Sequence, residues 1–369
     1  MVDRPRIVDL WHQGSAGVLV TLVRIEGSSY RRPGARLLIA NHGADYAGSI
    51  SGGCLEIEVV RKASWFVEHG ATVRRYSTLF DDTAEIPFGL GCGGVVDLLF
   101  EPVETAECQA LLRALECSLT GAEFRVVTRL PEGQVQFARA IFNAAGELIF
   151  ASATLSAQDI DAVRANAAKD SGIYVEHLCG PQRLFLLGAG DDVKPVVSMA
   201  SLLGWRTFVA EGRPQPARAE RFPDAERVSV ISSASELGIE PQDAVVLMTH
   251  SYEQDRGLLA GLLSGPVIPG YIGLLGASHR SSLLVSEAAA LIDSNLAECC
   301  ERVWAPVGLD LGGDGPEAIA LAVISEVQSW REGKLNSARR LTPERIAEQI
   351  AKGGASRYLR AQCAVGVAE

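Results

Sequence analysis

The sequence predicts an α/β protein in which a smaller mixed α/β N-terminal domain precedes a parallel-sheet domain. In the first part, several short, branched apolar segments follow one another with few helical patterns between them, which is typical of a mixed sheet. From residue 183 onward, strands alternate with helices, and this alternation indicates a parallel sheet. The chain has 369 residues, so at about 150 residues per domain we expect two or three domains.

The elements of the first domain follow from its short apolar runs. Strands are predicted at 17–24 and 35–40, and a helix runs from Leu55 to about Glu68, directly after the segment SISGGC. The remaining elements are a helix at 105–118 and strands at 71–77, 95–100, 123–129, 137–142 and 147–150. We place this domain at 1–155 and a connecting segment with an amphipathic helix pattern at 156–182.

The second domain is predicted over residues 183–333. The segment 183–214 has the pattern of a strand, a glycine-rich turn, a helix and a second strand. Further strands are expected at 226–231, 244–248 and 267–272, and a closing helix at 315–330. The more polar tail, 334–369, contains a helix pattern at 342–352 that begins after the N-cap residue Thr342.

Composition excludes several classes of protein. The formal net charge is −11, which disfavours binding to the phosphate backbone of nucleic acids. The chain has no apolar run of membrane-spanning length, and its start lacks the features of a secretory signal, so we expect a cytoplasmic protein. The eight cysteines form no C-x-x-C pair, which disfavours a zinc ribbon. The 47% apolar content permits a homodimer.

A glycine-rich turn after the strand RLFLL suggests nucleotide binding in the second domain. Gly188 allows a tight turn, and Gly190 lets the backbone approach a phosphate at the start of a helix. The third glycine of the fingerprint is replaced by Val193, so the motif is incomplete. Glu211 ends the next strand and could accept the hydroxyls of a ribose. The alternative is a domain that has kept the fold and lost the ligand.

His250 follows the predicted strand AVVLM, at the carboxyl end where ligands bind in sheets of this kind. A ligand-binding role is one interpretation of this residue. The other is that it only caps the start of the following helix.

Two glycine–cysteine loops suggest an anion site in the first domain. Small residues let backbone amides face an anionic ligand, and a thiol at a helix N-terminus has a lowered pKa. The residues concerned are Ser51, Gly52, Gly53 and Cys54 in SISGGCLE, and Gly91, Cys92 and Gly93 in GLGCGG. The segment GSSYRRPGAR adds Ser28 and three cations suited to oxyanions, Arg31, Arg32 and Arg36. The alternative interpretation is a pair of buried, inert cysteines in tight turns.

Together these segments resemble the xanthine dehydrogenase accessory factors of the XdhC/CoxI type. The matching segments are TLVRIEGSSYRRPGAR, SISGGCLE, GLGCGG, LFLLGAGDDVKPVVSMASLLGW, VVLMTHSYEQD, GYIGLLGASHR and APVGLDLGGDGPEAIALAVISEV. The resemblance implies a small N-terminal domain joined to a Rossmann-like C-terminal domain. It also implies a chaperone, without catalysis of its own, that holds the molybdenum cofactor (molybdopterin) as cargo while its terminal sulfur is installed.

On this resemblance, the implied partners are a molybdenum hydroxylase apo-enzyme and a cysteine desulfurase. We hypothesise that Cys54 or Cys92 approaches the molybdenum or carries a sulfur. The main alternative is an NAD(P)-dependent oxidoreductase that uses the Rossmann-like domain, supported by Gly188, Gly190 and Glu211. Against that alternative stand the missing third glycine and the lack of a clear proton-transfer pair. A regulatory module with no bound ligand is the third hypothesis.

Overall fold

A computed structural model gives the fold of most of the chain. It describes residues 3–14, 17–53, 55–77, 86–87, 94–164 and 172–335. The described residues form two compact units, a first unit that ends at Gly180 and a second unit that begins at Pro181. The helix predicted at 342–352 lies outside the described residues.

The described part of the first unit contains four helices and ten strands. They are α1 (Asp3–His12), β1 (Gly17–Gly27), β2 (Arg36–Ala40), β3 (Asp45–Gly48), α2 (Glu56–Phe66), β4 (Thr72–Ser77), β5 (Ile86–Pro87), β6 (Gly94–Pro102), α3 (Ala106–Leu119), β7 (Phe124–Arg129), β8 (Ala138–Asn143), β9 (Leu148–Ala151), α4 (Ala157–Arg164) and β10 (Ile173–Leu178).

These strands form two sheets, with the orders β3-β2-β1-β6-β4-β5 and β10-β7-β8-β9. All neighbouring strands are antiparallel except β4 and β5. Strand β1 is buried on both faces, because Leu22 packs in a cluster with Val59 of α2 while Leu19 packs in another with Leu111 of α3. Burial on both faces explains why its sequence is a continuous apolar run without alternation.

The segment 156–182, which we expected to be a connector, lies mostly within the first unit. Its helix pattern is observed as α4, and the strand β10 that follows pairs along its length with β7. The strand was not predicted because Glu176 and His177 interrupt its apolar pattern. Helix α1 and strand β3 were likewise not predicted.

The described part of the second unit alternates strands with helices. Its elements are β11 (Arg183–Leu187), α5 (Val193–Leu202), β12 (Arg206–Glu211), β13 (Arg227–Val230), β14 (Ala244–Leu247), α6 (Tyr252–Ser264), β15 (Tyr271–Leu274), α7 (Ser278–Leu291), α8 (Leu296–Arg302), β16 (Val303–Trp304) and α9 (Pro316–Arg331).

These strands form one parallel sheet with the order β13-β12-β11-β14-β15-β16. This is the doubly wound Rossmann order, so the predicted fold class is confirmed. Apolar clusters cover both faces of the sheet, and helix α9 contributes Val323 and Val327 to one of them.

One strand of this sheet begins later than predicted, and one was missed. The apolar run at 267–272 predicts a strand there, but β15 starts only at Tyr271. Pro269 lacks an N–H group and cannot take part in the ladder of a strand that has neighbours on both sides. The missed strand, β16, is only two residues long. In the described part of the chain, we find no helix long and apolar enough to span a bilayer.

Candidate functional site

Described residues of both glycine-rich segments contact the loop between β1 and β2, at one end of the strands of the larger sheet of the first unit. In the register of β1 with β6, Gly27 pairs with Gly94, the last residue of the segment GLGCGG. A side chain on Gly94 would collide with the carbonyl oxygen of Ser28, so the two segments touch there. A Cβ on Gly52 would lie 2.7 Å from the ring of Tyr30. The loop between β1 and β2 therefore contacts both glycine-rich segments.

Cys54, Gly91, Cys92 and Gly93 lie outside the described residues. The proposed roles of the two thiols, including contact with the metal, therefore stay predictions. Among the residues that the structure describes, we find no group of three or more His, Cys, Asp or Glu side chains that could hold a metal ion.

The backbone amides of the loop 49–53 face a carboxylate of the protein itself. The Oε1 atom of Glu56 accepts hydrogen bonds from the N–H groups of Ile50, Ser51 and Gly52 at 3.0, 2.9 and 3.2 Å. Its Oε2 atom accepts one from the N–H of Gly53 at 2.9 Å. The sequence pattern led us to assign these amides to a ligand. In the structure, the concave anion site exists, but Glu56 fills it.

Two hydroxyl groups complete the surroundings of this carboxylate. Ser49 Oγ donates to Oε1 at 2.8 Å, and Ser51 Oγ donates to Oε2. Glu56 is only 6% exposed. Burial by itself raises the pKa of Glu56, but the hydrogen bonds from Ser51 and Ser49 outweigh it and lower the pKa to about 2. The carboxylate is therefore ionised at every physiological pH.

Sequence reasoning missed Glu56, although a signal was present. An acidic residue in the first turn of a helix can reach back to the free N–H groups that precede it. Glu56 stands three residues after Gly53 and begins α2. This is the spacing at which a helix carboxylate can accept from the preceding loop.

The three arginines proposed as oxyanion donors have different surroundings. Arg36 is only 4% exposed, donates to the carbonyl oxygen of Gly34 at 3.0 Å and forms an ion pair with Glu176. It is therefore not available to a ligand at the surface. Arg31 is held by Asp3 at 2.6 Å. Arg32 is exposed, and we find no ion pair of its guanidinium within the described ranges.

The predicted turn of the second unit lies at the carboxyl ends of the parallel strands. Gly188 has a φ of 133°, and a Cβ at this position would lie 2.5 Å from the carbonyl oxygen of Met248. A Cβ on Gly190 would lie 3.0 Å from His250 Nε2. The structure thus brings Gly188, Gly190 and His250 together, at the ends of β11 and β14. Gly188 is required for the close approach of the two backbone segments.

Glu211 also lies at this edge, and its carboxylate already has partners. It accepts hydrogen bonds from the N–H of Ala189 at 3.3 Å and from the Arg213 guanidinium at 3.2 and 3.3 Å. Although burial raises the pKa of Glu211, the hydrogen bonds and charge of Arg213 lower it overall. Glu211 is therefore an ionised acceptor next to the glycine turn, the position that contacts a ribose in nucleotide-binding Rossmann domains.

The acidic pair after Gly190 is partly neutralised. Asp191 forms ion pairs with Lys194 at 2.8 Å and Arg221 at 3.0 Å, and their hydrogen bonds lower the pKa of Asp191. Asp192 has His250 Nε2 at 3.7 Å, and its Oδ1 atom is buried without a hydrogen bond. Two carboxylates at this position would repel a phosphate. The ion pairs reduce this repulsion at Asp191, whereas Asp192 has no such cation partner among the described residues except His250 at 3.7 Å.

A further polar cluster at this edge was missed by sequence reasoning. Asp255, which is buried, accepts hydrogen bonds from the Thr249 hydroxyl at 2.5 Å and from Arg280 at 2.6 Å. Burial raises the pKa of Asp255, against the effect of these partners. Arg280 follows β15 and also donates to the carbonyl oxygen of Leu275 at 3.2 Å. The cluster fixes the loops after β14 and β15, and no local motif marks it.

The fold and these loops define a class of protein: a Rossmann domain with an incomplete nucleotide turn, preceded by a mixed unit with two sheets. Comparison with known families agrees with this class. A family model described as "XdhC and CoxI family" matches residues 10–77, and one described as "XdhC Rossmann domain" matches residues 184–327. The chain belongs to the XdhC and CoxI family.

Known relatives cover most of the chain. One is a protein of Bacillus subtilis (strain 168) named as a probable xanthine dehydrogenase subunit, 27% identical over 85% of this chain and 93% of the relative. Another is the "Molybdenum cofactor insertion chaperone PaoD" of Escherichia coli (strain K12), 24% identical over 88% of this chain and 86% of the relative. A crystal structure described as a xanthine dehydrogenase from Bacillus halodurans matches with a TM-score of 0.75 and 26% identity, covering 94% of this chain and 99% of that one.

Proposed function

We propose that this chain binds the molybdenum cofactor and supports its insertion into a xanthine dehydrogenase-type molybdenum hydroxylase. A relative named as a molybdenum cofactor insertion chaperone matches the chain over 88% of its length. The observation that carries the proposal is that the loop between β1 and β2 contacts described residues of both glycine-rich segments, through Ser28 with Gly94 and through Tyr30 with Gly52. Cargo bound there is held and transferred without being chemically changed by this chain.

The surroundings of this loop suit a flat, anionic ligand. Tyr30 packs one part of its ring against Gly52, and the side chain is 75% exposed. An exposed aromatic ring can stack against a planar pterin. Arg32, two residues away, offers an exposed cation to a phosphate. Because Glu56 fills the amide site of the loop 49–53, the phosphate should depend on Arg32 more than on these amides.

The finer steps of the proposal concern sulfur and partners. The cofactor would stay bound while a cysteine desulfurase supplies its terminal sulfur, and the loaded chain would then meet the apo-hydroxylase in the cytoplasm. Cys54 or Cys92 would approach the molybdenum or carry the sulfur. This role fits the presence of both residues in glycine-rich segments of the sequence.

A transfer assay tests the proposal. Purified chain loaded with cofactor is mixed with the apo-hydroxylase, and recovered hydroxylase activity is measured. Cys54→Ala and Cys92→Ala are expected to lower the yield of active enzyme. Cys117→Ala is the matched control, because Cys117 is an exposed thiol on α3, away from these loops in sequence. Unchanged transfer by both variants would exclude the thiols, and no transfer by the unaltered chain would refute the proposal.

A second candidate function is nucleotide binding by the Rossmann domain. It is favoured by the doubly wound strand order and by the position of Gly188, Gly190 and Glu211 at one edge. NAD at a hundredfold excess over its dissociation constant should stabilise the native state by about 2.7 kcal/mol, which a thermal shift detects. Glu211→Gln should weaken this effect. The absence of a shift with both NAD and NADP would remove this candidate.

A further inference from the structure

We infer that Glu56 is the resident anion of the loop 49–53 and acts as the positioning residue for the segment that carries Cys54. The inference deepens the proposed function, because that segment belongs to the proposed cargo site. It rests on the contacts of the carboxylate alone. No molybdenum cofactor is needed to observe it.

The loop conformation itself forms an anion site. Gly52 and Gly53 have φ values of 89° and 116°, and successive amides in such left-handed turns point toward one centre. Four consecutive N–H groups, from Ile50 to Gly53, donate to the Glu56 carboxylate. Without this carboxylate the four N–H groups would point toward one another with no acceptor between them, and their mutual repulsion would open the turn. The negative charge therefore maintains the loop.

The carboxylate also fixes both chain neighbours of Cys54. The N–H of Gly53 donates directly to Glu56 Oε2 at 2.9 Å. The N–H of Leu55 donates to Ser51 Oγ at 2.9 Å, and that hydroxyl in turn donates to Glu56. The residues on both sides of Cys54 are thus linked to one buried charge. Loss of that charge should change the position and the reactivity of the thiol.

The donor pattern selects a carboxylate over an amide. Both oxygens of Glu56 accept hydrogen bonds, from N–H and O–H groups. A glutamine at this position would turn its NH2 group toward one of these donors and could satisfy only the other side. An alanine would remove the anion and leave space for a small carboxylate such as acetate. Glu56→Ala should therefore create a site for that anion.

Helix α2 offers a matched control. Glu58 lies two residues further on, and its carboxylate is also largely covered, with its side chain 12% exposed. Its partners are Lys62 and Arg61 of the same helix, and both lower its pKa. Glu58 has no hydrogen bond to the loop 49–53 in the described part of the chain. Glu58→Ala therefore removes a comparable charge and leaves the loop donors satisfied.

The test measures the rate at which Cys54 reacts with iodoacetamide at pH 7. Trypsin releases Cys54 in the peptide Leu37–Arg61, in which it is the sole cysteine, so mass spectrometry assigns the rate. Glu56→Ala and Glu56→Gln should raise the rate about tenfold, because the segment opens to solvent and reagent when the hydrogen bonds that hold the loop 49–53 are lost. Glu58→Ala should leave it within about twofold of the unaltered chain, because the partners of Glu58 are Lys62 and Arg61 of the same helix and not the donors of the loop 49–53.

Rescue separates positioning from a general loss of structure. Added acetate should return the rate of Glu56→Ala toward that of the unaltered chain, and sodium chloride at equal ionic strength should not. Acetate should have no effect on the unaltered chain or on Glu58→Ala. A rate in Glu56→Ala equal to that of the unaltered chain would overturn the inference, and so would a changed rate that acetate does not restore.

A measurement on the unaltered chain decides the matter if Glu56→Ala does not fold. The amides of Ile50 to Gly53 should exchange with solvent at least tenfold more slowly than in an unstructured peptide, although Gly52 and Gly53 are exposed. Exchange at the rate of an unstructured peptide would overturn the inference. A negative result in this exchange measurement would not contradict cofactor binding. A negative result in the cofactor transfer assay would not contradict the role of Glu56.

Discussion

Because the Glu56 carboxylate is ionised in the native state, the free energy of unfolding of the first unit should fall as the solution becomes acidic. Its pKa is lowered from 4.5 to about 2, and because one pKa unit is about 1.4 kcal/mol, the native state gains about 3 kcal/mol. As the pH falls, Glu56 takes up a proton near pH 4.5 in the unfolded chain but only near pH 2 in the native state. The stabilisation is therefore fully present above about pH 5 and is lost as the pH falls toward 2.

The assay compares the unaltered chain with Glu56→Gln, which has no carboxylate to titrate. The free energy of unfolding of the first unit is obtained from the slowest-exchanging amides of β1, so that unfolding of the second unit does not interfere. The difference between the two proteins should be about 3 kcal/mol at pH 7 and about half of that at pH 3. A difference that stays constant between these pH values would refute the ionised, hydrogen-bonded carboxylate.

Four substitutions test the packing within each of the two units. Arg139→Met should destabilise the first unit by about 3–5 kcal/mol in urea denaturation, because Glu101, 0% exposed, loses its bidentate partner. Adding Glu101→Leu should recover most of this loss, and no recovery would contradict the explanation. Gly188→Ala should destabilise the second unit by about 2 kcal/mol or more, because of its positive φ and the 2.5 Å approach to the Met248 carbonyl. Gly257→Ala, on α6 with open space around it, should be neutral or stabilising by up to about 1 kcal/mol; equal losses at both glycines would contradict this.

The sequence was most informative where a local pattern decides the structure. Strand β11, helix α5 and strand β12 were predicted in their observed order within 183–214, because a glycine-rich turn separates apolar runs of different period. Strand β15 was placed too early because Pro269 stands inside an apolar run whose pattern alone suggests a strand. Strand β10 was missed, since its pairing with β7 depends on residues more than forty positions away.

The candidate site was predicted only in part, because some of its features follow from local residue type and others depend on distant residues. Positive φ values and close backbone approaches need glycine, so the turns at Gly52 and Gly188 could be recognised from residue type. The burial of Arg36 could not, because its partner Glu176 is 140 residues away in the chain. Whether an arginine binds a ligand or a buried carboxylate depends on tertiary structure.

The most direct test of the central claim is the content of the chain purified from a host supplied with molybdate. Metal analysis and the fluorescence of the oxidised pterin should give molybdenum and pterin in close to equal amounts, at a large fraction of the protein concentration. Both should fall in Arg32→Ala, which removes the exposed cation beside Tyr30. Chain that carries neither molybdenum nor pterin under these conditions would contradict the account.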